Sequence, residues 1–412
     1  MIGFLGIAPP REHLELGLVC NCRPEHEHNE WRTMKFTSRV DVLLAAVNTA
    51  SKAAGSRVEI LGGVLLKTSG ASLEVSATNM DVVIIVWNIL VGNKRTVQKN
   101  GSAVVNSKTL FNTLKTFAKD DFVTLEGSAK DAVVTLTRGA TSVLLPAFEI
   151  EDYPKLPDIV AVELATVPSV EFRSALERVR RSCSKDKSRP VLCSVNMKFA
   201  NGTLCLESTD SYRLSRATVS VPVNSESKIM VSGRDLELLE RILGKNDSFS
   251  IELSDHVHKW TRFGFGDTCL LVRANEGVFP DVDRLLPKEF VGYITFDRVK
   301  ALSAISRMAK LSKGNAEMVR LDVGSKVIAS LTSRDVVTVK ETIEATSTFS
   351  TTSAYGFNPS FLEDGLSSLT EDTVTMALGS PLKPGLLYEG NPLKPGHLPD
   401  DFYLLMPIKL AS

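Results

Sequence analysis

The chain has 412 residues, enough for two to four domains, and its 48 lysines and arginines are balanced by 48 aspartates and glutamates. Zero net charge argues against a generic nucleic-acid binder, while 23 % charged and 43 % hydrophobic residues are ordinary globular usage. No apolar run approaches the roughly 18 residues of a membrane span, and six scattered cysteines make no disulfide framework, which fits a reducing cytosol.

Residues 1–33 come first. "MIGFLGIAPPREHLELGLVC" has neither the basic start nor the cleavage site of a signal peptide. Cys20, Cys22, His26 and His28 follow within nine residues. A C-x-C so close to an H-x-H matches no common closed zinc site, so no metal is expected and 1–33 read as a disordered extension. Apolar spacing predicts helices over 38–53, 106–119, 173–189, 232–245, 297–313 and 359–369. Alternating strands follow the first, third and fifth of these: "GGVLLKTSGASLEVSAT", "CSVNMKFANGTLCLEST" and "EMVRLDVGSKVIASLTS". Their "TSG", "ANG" and "VGS" are hairpin turns by composition. Asp81 and Asp210 read as turn-capping residues at equivalent positions rather than acid catalysts. His256 and His258 in "SDHVHKW", with no third ligand, read as surface residues.

The chain repeats itself three times. "VVNSKTLFNTLK", "MVSGRDLELLERIL" and "GFNPSFLEDGLSSL" are each a strand end, a capping stretch and an amphipathic helix. Their equivalent residues Val105, Val231 and Phe357 are 126 positions apart each time. The first two units close on "FEIEDYPKLP" and "EGVFPDVDRLLP". The expected architecture is three α+β domains at 34–158, 159–290 and 291–412, each with two helices on one side of antiparallel sheets.

Charge is segregated. The six predicted helical segments sum to +11, so all other segments carry −11. Helices facing one way would make a positive surface that holds phosphate without reading bases. The plain counterpart is a set of solvated helix faces. No P-loop, G-x-G-x-x-G, H-E-x-x-H or G-x-S-x-G is present, so no catalytic constellation and no cofactor are expected. The final "DFYLLMPIKLAS" is unusually apolar for a terminus. It reads as a last, edge strand that runs out into the wall of a pocket.

"MKFT" (from Met34), "STDSYRLS" (208–215), "VFPDVDRLLP" (278–287), "FNPSFLEDGLSSL" (357–369) and "YLLMPIKL" (403–410) occur in order. Together they resemble the bacterial β sliding clamp, the processivity subunit of DNA polymerase III, with phrases nearest clamps of actinobacterial type. The resemblance implies a non-catalytic, cytoplasmic, nucleoid-associated protein that forms a head-to-tail homodimeric ring of clamp domains. Twelve helices would line a pore for duplex DNA, bound without sequence specificity. It implies DNA-facing Arg57, Lys108, Lys115, Lys119, Arg178, Arg181, Lys185, Lys187, Arg189, Arg234 and Arg307. It implies a dimer interface where Val143 and Leu145 meet Met308 and Leu311. It further implies a pocket for a short peptide, a Gln followed by a Leu/Phe-rich run, carried by the polymerase catalytic subunit, the clamp loader and other partners. That pocket would use Leu192, Thr209, Ser211, Tyr212, Arg213, Leu214, Pro280, Arg284 and Leu285. The tail would add Leu404, Leu405, Met406, Pro407, Ile408, Lys409 and Leu410.

The chain departs from the family pattern in places. Ser211 stands where glycine is usual, and Lys409 keeps a charge where arginine is common but loses the fork. Around Arg57 the family's proline-rich phrase is replaced by "GSRVEILGGVLL". A specialised or phage-borne spare clamp is the alternative within the same class. A metal-dependent DNA-processing enzyme is the alternative outside it.

Overall fold

A computed structural model describes residues 33–410 apart from 56, 88–96, 129–131, 158–160, 224, 255–259, 313–317, 333–337 and 395–396. Cys20, Cys22, His26, His28, His256 and His258 therefore lie outside the described residues. No described helix is long and apolar enough to cross a membrane.

Six α-helices are present among the described residues: α1 (Val40–Ala50), α2 (Ser107–Leu114), α3 (Ser169–Arg180), α4 (Gly233–Leu243), α5 (Arg298–Leu311) and α6 (Pro359–Ser368). The 126-residue repeat turns out to be a repeat of helix caps. Asn106, Ser232 and Asn358 each follow a strand end and accept a backbone N–H of the next helix, from Thr109, Arg234, and Ser360 with Phe361. Each cap satisfies a donor that the first helical turn leaves open. Asp297 does the same for α5 through Lys300.

All six helices are shorter than their apolar spacing predicts, with most consequence at α2 and α3. The buried stripe of α3 is Phe172, Ala175, Leu176 and Val179, and Cys183 continues it only after the helix has ended. Asp186 then turns the chain by accepting the Ser188 N–H, and Pro190 follows. Lys185, Lys187 and Arg189 thus stand on the loop beyond α3. In the same way α2 stops at Leu114, with Lys115 as its C-cap and Lys119 past the end.

The sheets are antiparallel and run through both domain junctions. Val82–Val86 of the first repeat pairs with Thr268–Arg273 of the second, from Val86↔Thr268 to Val82↔Val272. Arg213–Ser220 of the second pairs with Phe402–Leu405 of the third, from Arg213↔Leu405 to Arg216↔Phe402. A 13-stranded sheet therefore joins the first two repeats and a 9-stranded sheet the last two, while four strands close the third. The helices pack on one side of this frame, α1 on α2, α3 on α4 and α5 on α6. On the other side, each connecting segment lies over a seam. Leu156 packs with Val83, Trp260, Cys269 and Leu271 at the first. Val282, Phe279 and Leu286 pack with Leu214, Leu386, Phe402 and Leu404 at the second.

The tail is not an edge strand. Phe402–Leu405 lies between Arg213–Ser220 and Gly385–Glu389, bonded to both. Beyond it, the Met406 N–H donates to Tyr212 O at 2.9 Å and the Ile408 N–H to Gly356 O at 2.7 Å. A side chain at Gly356 would meet Ile408 O at 2.6 Å, so glycine is what lets the tail approach.

One tight turn recurs. Thr78 Oγ1 donates to Val82 O while Asn79 Oδ1 accepts the N–H groups of Asp81 and Val82. Thr209 Oγ1 likewise donates to Arg213 O while Asp210 Oδ1 accepts those of Tyr212 and Arg213. Asn79, not Asp81, is thus the counterpart of Asp210. The residue after each cap is left-handed without being glycine, Met80 at φ 81° and Ser211 at φ 80°.

Two outcomes are expected. Leu405→Ala empties a fully buried site in an interior strand and should cost about 2–5 kcal/mol in denaturant unfolding; a loss below about 1 kcal/mol would contradict that placement. Ser211→Gly relieves a left-handed side chain, roughly 1–2 kcal/mol, less the roughly 0.4–1 kcal/mol that glycine adds to unfolded-chain freedom. Its melting temperature should rise slightly; a fall would show that the serine side chain makes a contact worth more than the strain.

Candidate DNA interface, ring ends and partner groove

The basic residues divide into those open to solvent, among them Lys115 over the Phe111 ring at 4.4 Å, and those committed to carboxylates. Arg57, Lys108, Lys115, Lys119, Lys185, Lys187 and Arg234 are exposed. Arg189 is exposed and pairs with its own loop's Asp186 at 3.2 Å. Arg307 is exposed but forks onto Glu341 at 2.8 and 2.5 Å. Arg181 is half-buried between Glu177 at 3.5 Å and Asp364 at 3.4 Å. Arg178 is a correction to the expected DNA-facing set. Its guanidinium is mostly buried in the second seam, 2.9 Å from Glu389 and 3.5 Å from Asp401 of the third repeat. Burial works against ionisation of Glu389, but the N–H groups of Thr370 and Glu371, the Thr370 hydroxyl and Arg178 outweigh it and hold the carboxyl below its usual range. Arg178 therefore fastens two domains together and has little to offer a phosphate.

At the two ends of the chain's arc the strands offer unpaired edges. Thr141–Phe148 pairs along its length with Val133–Arg138, but on its other side only at Ala147 and Phe148. Thr338–Ile343 is one of the two outer strands of the four-stranded sheet. The expected apolar contacts shift by one residue here. Strand alternation turns Leu145 into the core and leaves Val143 half-buried against it, while Leu144 points out, 69 % exposed. Met308 is likewise fully buried inside its own domain, and Leu311, one turn on, is exposed, as is Val299 at the other end of α5. Leu145 and Met308 are core residues; Leu144 and Leu311 are what the ends present.

At the second seam the residues expected to line a partner groove gather about Arg213, which lies beneath them as a floor. This side chain is buried, with Nε 2.9 Å from Asp210 Oδ2 and Nη1 2.5 Å from Asp364 Oδ2. It lies 4.3 Å over the Phe361 ring and touches Tyr403 Oη at 3.4 Å. Burial pushes the Tyr403 phenol well above its ordinary value, against the pull of Arg213. It stays neutral and donates to Phe361 O at 2.7 Å. Phe361 is a groove residue that the sequence reading missed, although it sits inside the quoted "FNPSFLEDGLSSL". Its place in the first turn after the Asn358 cap aims it at the tail, 6.4 Å from the Tyr212 ring.

Around this floor the expected residues take different parts. Leu214 and Leu404 face each other across the strands and are buried beneath the connecting segment. Leu405 belongs to the third-domain core. Thr209 caps the turn from below, and Ser211 is exposed on it. Tyr212, 61 % exposed, and Met406, 40 % exposed, stand side by side at the rim, joined by the Met406 N–H bond to Tyr212 O. Pro280 is half-buried; Arg284 and Leu285 are exposed on the same segment. Leu192 is half-buried in the turn Pro190–Cys193, where Val191 reaches the connecting segment at Gly277. Pro407 is half-buried; Ile408 and Leu410 lie against Gly356, and Lys409 is exposed. Apolar rim and charged floor together suit a peptide with apolar anchors.

Comparison with known proteins gives the same outline. Models of the N-terminal, central and C-terminal domains of the DNA polymerase III beta subunit match residues 34–157, 166–281 and 283–394. A beta sliding clamp of Staphylococcus aureus is 24 % identical over 362 residues, 86 % of this chain and 95 % of the relative. That of Streptomyces coelicolor is 26 % identical over 388 residues, 92 % and 100 %. In fold, the chain is similar to the Bacillus subtilis sliding clamp, at TM-score 0.82 and 21 % identity, over 92 % of this chain and all of the other. It is also similar to the Pseudomonas aeruginosa clamp bound to griselimycin, at TM-score 0.81 and 20 % identity, over 92 % and 100 %. With three domain models matched in order along most of its length, the chain belongs to the DNA polymerase III beta subunit family, the non-catalytic sliding clamps of bacterial replication.

Proposed function

We propose that two copies of this chain close head to tail into a ring around duplex DNA and hold the replicative polymerase on it. The observation that carries this is the strand pairing: it crosses both internal seams, while Thr141–Phe148 of the first domain and Thr338–Ile343 of the third each leave most of one side unpaired among the described residues. Pairing those edges between two copies repeats the internal seam twice more and closes the circle. The domains run 34–158, 159–290 and 291–412, and location is cytoplasmic and nucleoid-associated. Arg57, Lys108, Lys115, Lys119, Lys185, Lys187, Arg189 and Arg234 supply the phosphate-facing charge, with Arg181 and Arg307 already shared with carboxylates. Such contacts cost nearly the same at every register, so the ring slides. The groove around Tyr212, Phe361, Leu285 and Met406 takes the linear peptide of the polymerase catalytic subunit, the clamp loader and other partners.

Two measurements test this. Protein assembled on closed circular DNA should co-migrate with it, and linearising the circle should release it; retention on linear DNA, or tight sequence-specific binding to a short duplex, would sink the ring. In the second, Met406→Glu places a charge on an exposed rim position. Its melting temperature should match the parent's, while calorimetry with a synthetic Gln-plus-Leu/Phe-rich peptide should show at least a tenfold loss, about 1.4 kcal/mol. Unchanged affinity would remove Met406 from the groove.

A further inference from the structure

One buried carboxylate has no part in the surfaces described so far. Glu207, on the strand Thr203–Thr209, is wholly buried. Its Oε2 accepts from Lys198 Nζ at 2.9 Å and Asn196 Nδ2 at 3.0 Å. Its Oε1 accepts from Arg216 Nε at 3.0 Å and Nη2 at 2.7 Å. Strand register produces this cluster, because Asn196 and Arg216 are the direct neighbours of Glu207 on either side. The same Nη2 of Arg216 also reaches Asp283 Oδ1 at 2.6 Å. That nitrogen carries two hydrogens, one for each carboxylate. Lys198, Arg216, Glu207 and Asp283 sum to zero charge; without Asp283 the cluster keeps one uncompensated cation beside the Phe402 ring, 5.2 Å away.

Asp283 belongs to the short turn Val282–Arg284 of the connecting segment. Val282 is fully buried in the cluster with Leu214 and Leu404, which sets the depth of the turn. The ion pair to Arg216 ties it sideways to the sheet, and Arg284 folds back on Asp281 at 2.9 Å. Immediately beside this turn stand Pro280 and Leu285.

On the basis of the partner groove proposed above, we infer that Arg216, oriented by Glu207, is a positioning residue for partner binding: through Asp283 it holds the connecting segment in the shape that receives a peptide. A fully buried carboxylate that touches no ligand thus acts at one remove, by fixing the direction of a guanidinium whose free hydrogen clamps a loop.

The test uses the full chain and Asp283→Asn. The Asp283 side chain is 67 % exposed, and its change leaves Glu207 fully paired, so folding is spared. The probe is the same synthetic peptide, followed by calorimetry and dissociation rate at low and high salt. The variant should melt within about one degree of the parent and bind roughly three- to fivefold more weakly at low salt, the scale of a partly exposed ion pair. Asp283→Glu should recover most of the loss. Near 1 M salt, where the screening length is about 3 Å, the gap should narrow. Purely structural damage would move the melting temperature and would not respond to salt or to glutamate; that outcome overturns the inference. Equal affinities of parent and Asp283→Asn at low salt overturn it and leave the groove standing. A parent that binds no peptide overturns both.

Discussion

Backbone pairing across the seams is the constraint on which the rest of the molecule depends. Five register pairs join the first domain to the second and four join the second to the third. Main-chain bonds of this kind do not depend on which side chains are present, and they fix strand direction and spacing together. Once they form, the helices have only one side of the sheets left to cover, and the connecting segments have only the other. The six helices themselves carry little net charge, so the positive charge predicted for them sits largely past their ends, on Lys115, Lys119, Lys185, Lys187 and Arg189.

The second seam receives side-chain fastening that strand pairing does not provide. Arg178 reaches Glu389 and Asp401, while Arg181 and Arg213 converge on Asp364. Breaking one partner of such a buried pair leaves the other charge stranded, and that penalty exceeds the net worth of the bond. The groove floor therefore serves two purposes at once. Arg213 ties the two domains together through Asp210, Asp364 and Tyr403, so the partner groove proposed above would rest on a braced joint.

Much of this was legible in the residues. Cap residues at 106, 232 and 358 stand one position after Val105, Val231 and Phe357, so the 126-residue spacing read the start of a helix in each domain. Helix ends were less legible: Cys183 keeps the helical spacing from Val179 and packs on the same core, although α3 has ended at Arg180. Strand alternation decided the ring ends, and a resemblance at Val143 and Leu145 does not say which face of a pleat each occupies. The fate of Arg178 was invisible because its partners lie more than 200 residues on. The tail was read correctly as apolar and wrongly as an edge, since an edge and an interior strand differ only in what lies on the far side. The turn at Ser211 keeps its left-handed form without glycine because Thr209 and Asp210 already hold four of its polar groups.

The place of Phe402–Leu405 between two strands has a consequence for how the molecule is made. A ribosome delivers this strand after every element it touches: Arg213–Ser220, Gly385–Glu389 and the turn that holds Tyr212. Until it arrives, the second and third domains have no shared strand, Arg213 lacks Tyr403, and Tyr212 lacks the Met406 N–H bond. A nascent chain can fold its first two domains and display much of its basic helical surface before then. It cannot yet display the groove. On the proposed function, competence to recruit a polymerase therefore comes only after this strand, by the order in which the residues are synthesised.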